Sequence, residues 1–219
     1  MIKRLTFESR EAWLSAREGK IGGSDAGCII GLNPWKTNTE LWAEKIKVQP
    51  PKDLSDNPLV QYGIQAEPLI RELFKLDFPE YKVDYYENNM IINDEYPDFH
   101  YSADGELTER ATGRRGLLEI KTSSVMSAAA AEKWKDDHLP QTYYTQILWG
   151  FIVTGAEFAI LRAHINYPRE GELPFAKIKH YKIERQEVKS DMDYLAEEGL
   201  KFAECIRTRR EPALILPRI

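Results

Sequence analysis

Gly116–Thr122 reads GLLEIKT, and this stretch decides the fold, because it has the apolar pattern of a strand yet carries a carboxylate and an amine two residues apart. A strand alternates its side chains between two faces, so Leu118 and Ile120 are expected to point into a core. Glu119 and Lys121 are then held side by side on the opposite face. Such a pair is either a solvated surface pair, which contributes little to stability, or half of a metal site.

A second acid precedes this strand. Asp104 lies in the motif YSADG, and the turn at 108–115 (TERATGRR) is short enough to join its strand and GLLEIKT into a hairpin. By strand alternation Ser102 and Asp104 share a face, so Asp104, Glu119 and Lys121 are expected to converge. Neighbouring carboxylates are hard oxygen ligands of the kind that Mg²⁺ prefers, and a lysine beside them would orient or deprotonate a water. The cluster predicts metal-assisted phosphodiester hydrolysis.

Two further polar residues lie in helices that are otherwise apolar. Asn57 followed by Pro58 is a helix-start signal, and the helix it opens is expected to run to about Asp77. Glu67 borders its apolar face, and the alternative is a surface charge paired with the residue four positions on, Arg71. Gln146 lies in the predicted helix QTYYTQILWGFIVT, where it is a site residue or simply satisfies a helix contact. The apolar positions of the first helix have helical spacing: Leu59, Tyr62, Ala66, Leu69, Ile70 and Leu73.

The order of elements predicts an α/β (α+β) fold with one mixed central β-sheet flanked by helices. Helices are expected first, then a run of strands that includes FHYSADGEL as one strand and GLLEIKT. Helices follow, the first over the Ala-rich residues 123–134, and then two more strands and a long helix. We expect a single domain over 1–219, made of N-terminal helices at 9–77, a core at about 78–185 and a C-terminal helix at about 186–209.

Composition limits the function classes. The chain has 219 residues, 42% hydrophobic and 30% charged, with a net charge of −5, which argues mildly against a general nucleic-acid binder. Basic residues that line a groove would still attract a polyanion. No apolar run reaches transmembrane length, and the start MIKRLTFESREAW has no apolar signal core, so we expect a cytoplasmic protein without membrane contact. Two distant cysteines, Cys28 and Cys205, exclude a four-thiolate iron–sulfur cluster.

Asp104 followed by Glu119-Ile120-Lys121 resembles the D…E-x-K core of the PD-(D/E)XK nuclease superfamily, with Ala103 where the superfamily name has proline. Five blocks resemble, in order, those of the phage lambda-type exonuclease (viral recombinase, alkaline exonuclease) family. The resemblance spans roughly 10 to 165, and the blocks are IGGSDAGCIIGLNPWKTNTELW, YGIQAEP, SADGEL, EIKTS and YYTQILWGF.

The resemblance implies a PD-(D/E)XK nuclease core and digestion of linear double-stranded DNA from 5′-phosphorylated ends, which leaves 3′ single strands for phage-type recombination. The expected cofactor is Mg²⁺, with Mn²⁺ as a substitute. Asp104, Glu119 and the Ile120 carbonyl would hold the ion, and Lys121 would activate the water. Glu67 would bind or support a second metal, and Gln146 would position the water or the lysine.

The resemblance also implies partners. Family members form ring-shaped trimers and work with a single-strand annealing protein, so we expect a homo-oligomer that binds DNA ends in the cytoplasm of a bacterial host, encoded by a phage or prophage.

An enzyme that starts at DNA ends needs to recognise an end. Ser24 is expected at the start of a short helix, capped by Ser24 or Asp25, where backbone N–H groups favour an anion. The flexible Gly22-Gly23 would let the backbone approach closely, and Arg17 can hold phosphate oxygens through two hydrogen bonds. Ser102 lies near Asp104. These residues predict a 5′-phosphate pocket of Arg17, Ser24 and Ser102; the alternative is a plain helix cap and a solvated charge.

Two other readings remain open. An endonuclease of the same superfamily, of a restriction or repair type, would cut closed circular DNA. A DNA-binding module without catalysis would bind DNA and leave it intact.

Overall fold

The computed structural model describes residues 1–168 and 175–217. The strands in this part of the chain are β1 Ile2–Thr6, β2 Tyr81–Asp84, β3 Asn89–Asn93, β4 Tyr96–Tyr101, β5 Gly105–Glu109, β6 Arg115–Ser124, β7 Phe158–Tyr167 and β8 Phe175–Glu184. The helices there are α1 Arg10–Arg17, α2 Ala26–Ile29, α3 Asn38–Lys45, α4 Pro58–Asp77, α5 Ala128–Glu132, α6 Gln141–Thr154 and α7 Lys189–Thr208.

The strands form two sheets. The five-stranded sheet has the order β2-β5-β6-β7-β8, and the three-stranded sheet has the order β1-β3-β4. Among the pairs of described strands only β6–β7 is parallel, so the larger sheet is mixed. The predicted fold class, a mixed sheet flanked by helices, is confirmed. The expectation of a single sheet is wrong, because the chain changes sheets between β4 and β5.

Strand β6 lies in the middle of the larger sheet and alternates as predicted. Leu118 and Ile120 pack in one core with the α4 residues Ile70 and Phe74. Leu117 belongs to the other core, which contains most of the buried face of α6. Helices α4 and α6 therefore cover opposite faces of β6, and a side chain on the Leu117 face points toward α6.

The helix ends follow local signals. The Asn57 side chain accepts a hydrogen bond from the Leu59 amide at 2.9 Å, and Pro58 occupies the first turn of α4, as predicted. Helix α6 ends at Thr154 and is capped by Gly155, whose φ of 67° lies in the left-handed region where glycine is favoured.

Two elements differ from the sequence prediction. Residues 123–134 were expected to be helical, but β6 continues to Ser124 because it pairs with β7 along its length, and α5 has only five residues. Strand β1 was not predicted. Its side chains are largely exposed, so no apolar alternation marks it, and it is held by pairing with β3.

Among the described residues, no helix has the length and apolar composition that a bilayer crossing requires.

Candidate active site

The β5–β6 hairpin brings an acid against the middle of β6. Gly105 pairs with Leu118, which places the preceding residue, Asp104, beside the next positions along β6. The Asp104 Oδ2 atom accepts a hydrogen bond from the Ile120 amide at 2.8 Å. Asp104 lies in a bend between β4 and β5, so strand alternation with Ser102, on which the sequence argument relied, does not apply.

The Glu119 side chain is fully buried and has three partners. Tyr101 donates its hydroxyl hydrogen to Oε2 at 2.6 Å, and Gln146 donates from Nε2 to Oε1 at 2.6 Å. The Lys121 ammonium is 2.5 Å from Oε1. A buried carboxylate needs such partners because its desolvation is costly, and here they fix both of its oxygens.

Asp104 and Lys121 form one electrostatic cluster with Glu119. Burial, together with the nearby Glu119 charge, raises the pKa of Asp104 well above its usual range. Burial alone would lower the pKa of Lys121, but the Glu119 and Asp104 carboxylates raise it above the usual value of a lysine. The structure therefore gathers two acids and one ammonium group in a desolvated cluster, formed by the three residues that the sequence predicted to converge.

Glu67 lies at the border of this group. Its Oε1 atom is 2.5 Å from the Arg71 guanidinium, and Arg71 also donates from Nε to the Asp104 carbonyl oxygen. Burial raises the pKa of Glu67, while the charges of Arg71 and Lys121 oppose that rise and Glu119 adds to it. Glu67 is therefore both a partner of Arg71, as in the alternative reading, and an electrostatic neighbour of the two buried acids.

Two residues with direct contacts to the site were not predicted as site residues, and the sequence indicated Arg71 only as a surface partner of Glu67. Arg71 is buried and its guanidinium carbon is 3.5 Å from the centre of the Tyr85 ring. The spacing of Arg71 four residues after Glu67 was the available signal. Tyr101 gave no signal, because an aromatic residue at the end of an apolar strand is typical of a core.

The predicted phosphate-binding residues lie around the N-terminal segment. The Arg17 guanidinium carbon is 4.3 Å from the centre of the Trp13 ring. Trp13 Nε1 and Ser102 Oγ each donate to the Asn89 carbonyl oxygen at 2.8 Å, which places the Trp13 and Ser102 side chains on the same acceptor. Ser24 is exposed in the turn that precedes α2.

Of the two predicted caps, Asp25 occupies the N-cap position of α2, which has only four residues. Its side chain makes no capping hydrogen bond to α2 and instead accepts from the amide of Gly22, the cap of the preceding turn, at 2.9 Å. Gly22 and Gly23 also do not leave room for a ligand. A Cβ atom on Gly22 would be 2.8 Å from the His100 ring, and one on Gly23 would be 3.1 Å from the Tyr101 ring. The two glycines make space for aromatic rings of β4.

The donor chemistry fits a divalent cation. Among residues 1–168 and 175–217, no three His, Cys, Asp or Glu side chains gather as a metal-binding group. Asp104 and Glu119 provide two carboxylates, and Mg²⁺ is commonly held by one or two carboxylates with waters completing its shell. Burial and the Glu119 charge both disfavour the ionised form of Asp104, a cost that a bound cation would offset.

Comparisons with known proteins identify relatives of this chain. A family model described as "YqaJ-like viral recombinase domain" matches residues 12–157. The uncharacterized protein YqaJ of Bacillus subtilis (strain 168) is 31% identical over 150 residues, which are 68% of this chain and 44% of that protein. The chain therefore spans less than half the length of this relative.

The fold is similar to those of two crystal structures. An alkaline exonuclease from Laribacter hongkongensis aligns with a TM-score of 0.63 at 18% identity, covering 91% of this chain and 96% of that one. A phage-related exonuclease from Haemophilus somnus 129PT aligns with a TM-score of 0.57 at 12% identity, covering 87% and 96%. At these identities the likeness concerns the fold.

Proposed function

Because the chain belongs to the family of YqaJ-like viral recombinase domains, we propose that it is a metal-dependent nuclease that hydrolyses DNA. The family predicted from the five sequence blocks is confirmed by the match over residues 12–157. One observation carries the proposal: Asp104, Glu119 and Lys121 meet in one desolvated group on the β5–β6 hairpin. A surface ion pair would be solvated, whereas Glu119 is fully buried.

We propose that the substrate is linear double-stranded DNA, digested in the 5′-to-3′ direction to leave 3′ single strands for recombination. The support is the family and the likeness of the fold to two exonucleases. The proposed cofactor is Mg²⁺, for which Mn²⁺ would substitute. When bound, the cation supplies Lewis-acid stabilisation of the charge that develops on the phosphoryl group.

The protein groups have separate roles in this proposal. Asp104, Glu119 and the Ile120 carbonyl would hold the cation. Lys121 orients the attacking water from its position two residues after Glu119. Gln146 holds the Glu119 carboxylate, to which it donates at 2.6 Å. Glu67 supports a second cation if it leaves its contact with Arg71.

A digestion experiment tests the activity. We expect the wild-type protein to degrade linear duplex DNA in the presence of Mg²⁺, to leave closed circles intact, and to stop when a chelator is added. Glu119→Ala should bind linear DNA and leave it undigested. Cleavage of closed circles would favour the endonuclease reading, and binding without digestion by the wild type would favour the inactive module.

We also propose that the enzyme recognises the 5′ phosphate through Arg17 and Ser24, with Ser102 nearby. The four-residue α2 is too short to supply a substantial helix dipole, so recognition rests on side chains. Arg17 is held against Trp13, and Trp13 shares the Asn89 carbonyl with Ser102. Because the Ser102 hydroxyl already donates to Asn89, it would have to turn to bind a phosphate, which makes Arg17 the main phosphate-binding group.

Substrates that differ only at the 5′ end test this pocket. We expect the wild type to digest 5′-phosphorylated duplexes faster than 5′-hydroxyl duplexes. Arg17→Ala should lose most of that preference, and Arg17→Lys should recover only part of it, because an ammonium lacks the paired donors of a guanidinium. Equal wild-type rates on both ends would contradict the proposal.

Assembly and partners complete the proposal. We propose a homo-oligomer, a trimer, because a subunit with a net charge of −5 needs to gather its basic residues around a polyanion. A single-strand annealing protein would then receive the 3′ strand. The working compartment in this proposal is the cytoplasm of a bacterial host.

A further inference from the structure

Tyr101 is a buried side chain that reaches the proposed metal-binding acid from another sheet. It is the last residue of β4, is 1% exposed, and donates its hydroxyl hydrogen to Glu119 Oε2 at 2.6 Å. Gln146 and Lys121 contact the other oxygen, Oε1. The two oxygens of Glu119 are thus held from different directions, and Tyr101 provides the hold on Oε2.

Two glycines make room for the Tyr101 ring. A Cβ atom on Gly150 of α6 would be 2.9 Å from the ring carbon that carries the hydroxyl, closer than real Cβ contacts come. A Cβ atom on Gly23 would be 3.1 Å from Cε2 of the same ring. The ring is therefore enclosed between the turn before α2 and helix α6, and its hydroxyl has little freedom to leave Glu119.

Phenylalanine would fill this space as well as tyrosine, so packing alone does not require the hydroxyl. What the hydroxyl adds is a hydrogen bond to a fully buried carboxylate. Hydrogen bonds to the carboxylate ligands of a metal fix the direction of the remaining lone pairs and commonly contribute 10- to 100-fold to metal affinity.

We propose that Tyr101 is a positioning residue, which fixes the Glu119 carboxylate for cation binding and links the Ser24 turn to the metal site through Gly23. This inference rests on the proposed function of Glu119 as a metal ligand. It also assigns a structural reason to two glycines of the sequence blocks IGGSDAG and YYTQILWGF.

The test measures cation binding without DNA. Mn²⁺ is titrated into the full chain, and the free ion is followed by electron paramagnetic resonance. Tyr101→Phe removes only the hydroxyl, and we expect it to weaken Mn²⁺ affinity roughly 10-fold. Tyr96→Phe, the same change at the other end of β4, is the matched control and should bind Mn²⁺ like the wild type.

A second variant keeps the hydroxyl but disturbs the ring. Gly23→Ala places a methyl group 3.1 Å from Tyr101 Cε2 and 3.0 Å from Gln146 Cγ, so we expect it to weaken Mn²⁺ affinity as well. This variant decides the question if Tyr101→Phe does not fold, and unchanged affinity in Gly23→Ala would then overturn the inference.

Glu119→Ala distinguishes a wrong positioning role of Tyr101 from a wrong metal site. If Glu119→Ala loses Mn²⁺ binding while Tyr101→Phe binds like the wild type, the positioning role is wrong and the proposed metal site stands. A purely structural role of Tyr101 would give this result, with a lower melting temperature. If Glu119→Ala binds Mn²⁺ like the wild type, the proposed site itself is wrong.

Discussion

At the residue scale, Asp104 shows the conflict between stability and the proposed chemistry. Its carboxylate is desolvated beside Glu119, and its pKa is raised well above the usual range. An acid whose pKa is higher in the folded than in the unfolded chain destabilises the fold at neutral pH, because the ionised form is the less favourable one when buried. Groups held in this way are typical of sites that are used for chemistry.

We therefore predict opposite effects of Asp104→Asn on stability and on activity. The asparagine keeps an acceptor for the Ile120 amide and removes the desolvated charge, so the melting temperature without metal ions should be at least that of the wild type. Nuclease activity should fall roughly 10³-fold, since several kcal/mol of transition-state stabilisation are lost. Calorimetric melting and a DNA digestion assay measure the two effects.

The control for this prediction is Asp94→Asn. Hydrogen bonding to Lys3 lowers the pKa of the exposed Asp94, so its ionised form stabilises the fold and its removal should lower the melting temperature slightly, without a change in activity. If Asp104→Asn melted several degrees below the wild type, the Asp104 charge would not be what destabilises the fold.

The sequence predicted part of this residue-scale picture. Asp104, Glu119 and Lys121 could be identified, because acids and a lysine at fixed strand positions leave a pattern. Tyr101 could not, because its role depends on which glycines of distant elements lie against its ring. The side-chain alternation that was used for Asp104 failed at a bend.

At the element scale, α4 illustrates what periodicity leaves undecided. The helix and its start were predicted correctly, since the cap of Asn57 and the position of Pro58 are local signals. The prediction of which side of α4 faces the core was wrong in large part. Ile70, Arg71 and Phe74 are buried, whereas most of the predicted apolar face is exposed: Leu59, Tyr62, Leu69 and Leu73. The helix carries two apolar stripes, and spacing alone does not say which of them meets the sheet.

Arg71 attaches α4 to the residue that precedes β5, Asp104, and we predict that its removal destabilises the fold. Arg71→Met removes the ion pair with Glu67 and the hydrogen bond to the Asp104 carbonyl, and leaves a partly buried acid without its partner. We expect the free energy of unfolding to fall by roughly 2–3 kcal/mol, below the 3–5 kcal/mol of a fully buried pair, because Glu67 is partly exposed. Urea denaturation measures the change.

Lys75→Met is the matched control on the same helix. Lys75 pairs with Glu72 at 2.7 Å on the exposed side, and surface pairs of this kind contribute about 0.5 kcal/mol or less. If Arg71→Met and Lys75→Met were equally stable, the attachment of α4 through Arg71 would be refuted.

At the scale of the whole molecule, the change of sheets after β4 places the site. Strand β4 ends at Tyr101 in the three-stranded sheet, and β5 begins at Gly105 in the five-stranded sheet. Ser102 and Asp104 lie in the three-residue connection between these strands, outside both sheets. A strand pattern does not reveal that its pairing partner changes, so the sequence predicted one continuous strand and one sheet. The residues that were predicted to cluster do so because of this crossing.

The exposed stripe of α4 bears on assembly. Five large apolar side chains recur at intervals of three or four residues along one side of the helix, apart from the gap around Ala66, and each is at least 44% exposed: Leu59, Tyr62, Leu69, Leu73 and Leu76. Contiguous exposed apolar patches typically mark protein contacts, and stable interfaces bury roughly 800 Å² on each partner. In the proposed oligomer, this row of side chains would supply the apolar centre of the contact with a second copy of the chain.

The last prediction tests this assignment. Leu69→Glu combined with Leu73→Glu places two charges in the stripe, where burial against another subunit would desolvate them, so the oligomer should dissociate. Light scattering should give an oligomeric mass for the wild type and a monomeric mass for the double variant, which should also release long DNA after fewer nucleotides. Leu200→Glu changes a leucine of α7 that is 42% exposed and should leave the mass unchanged. A wild-type monomer that digests long DNA without dissociating would rule out the oligomer, since a single subunit would then suffice to retain the polyanion.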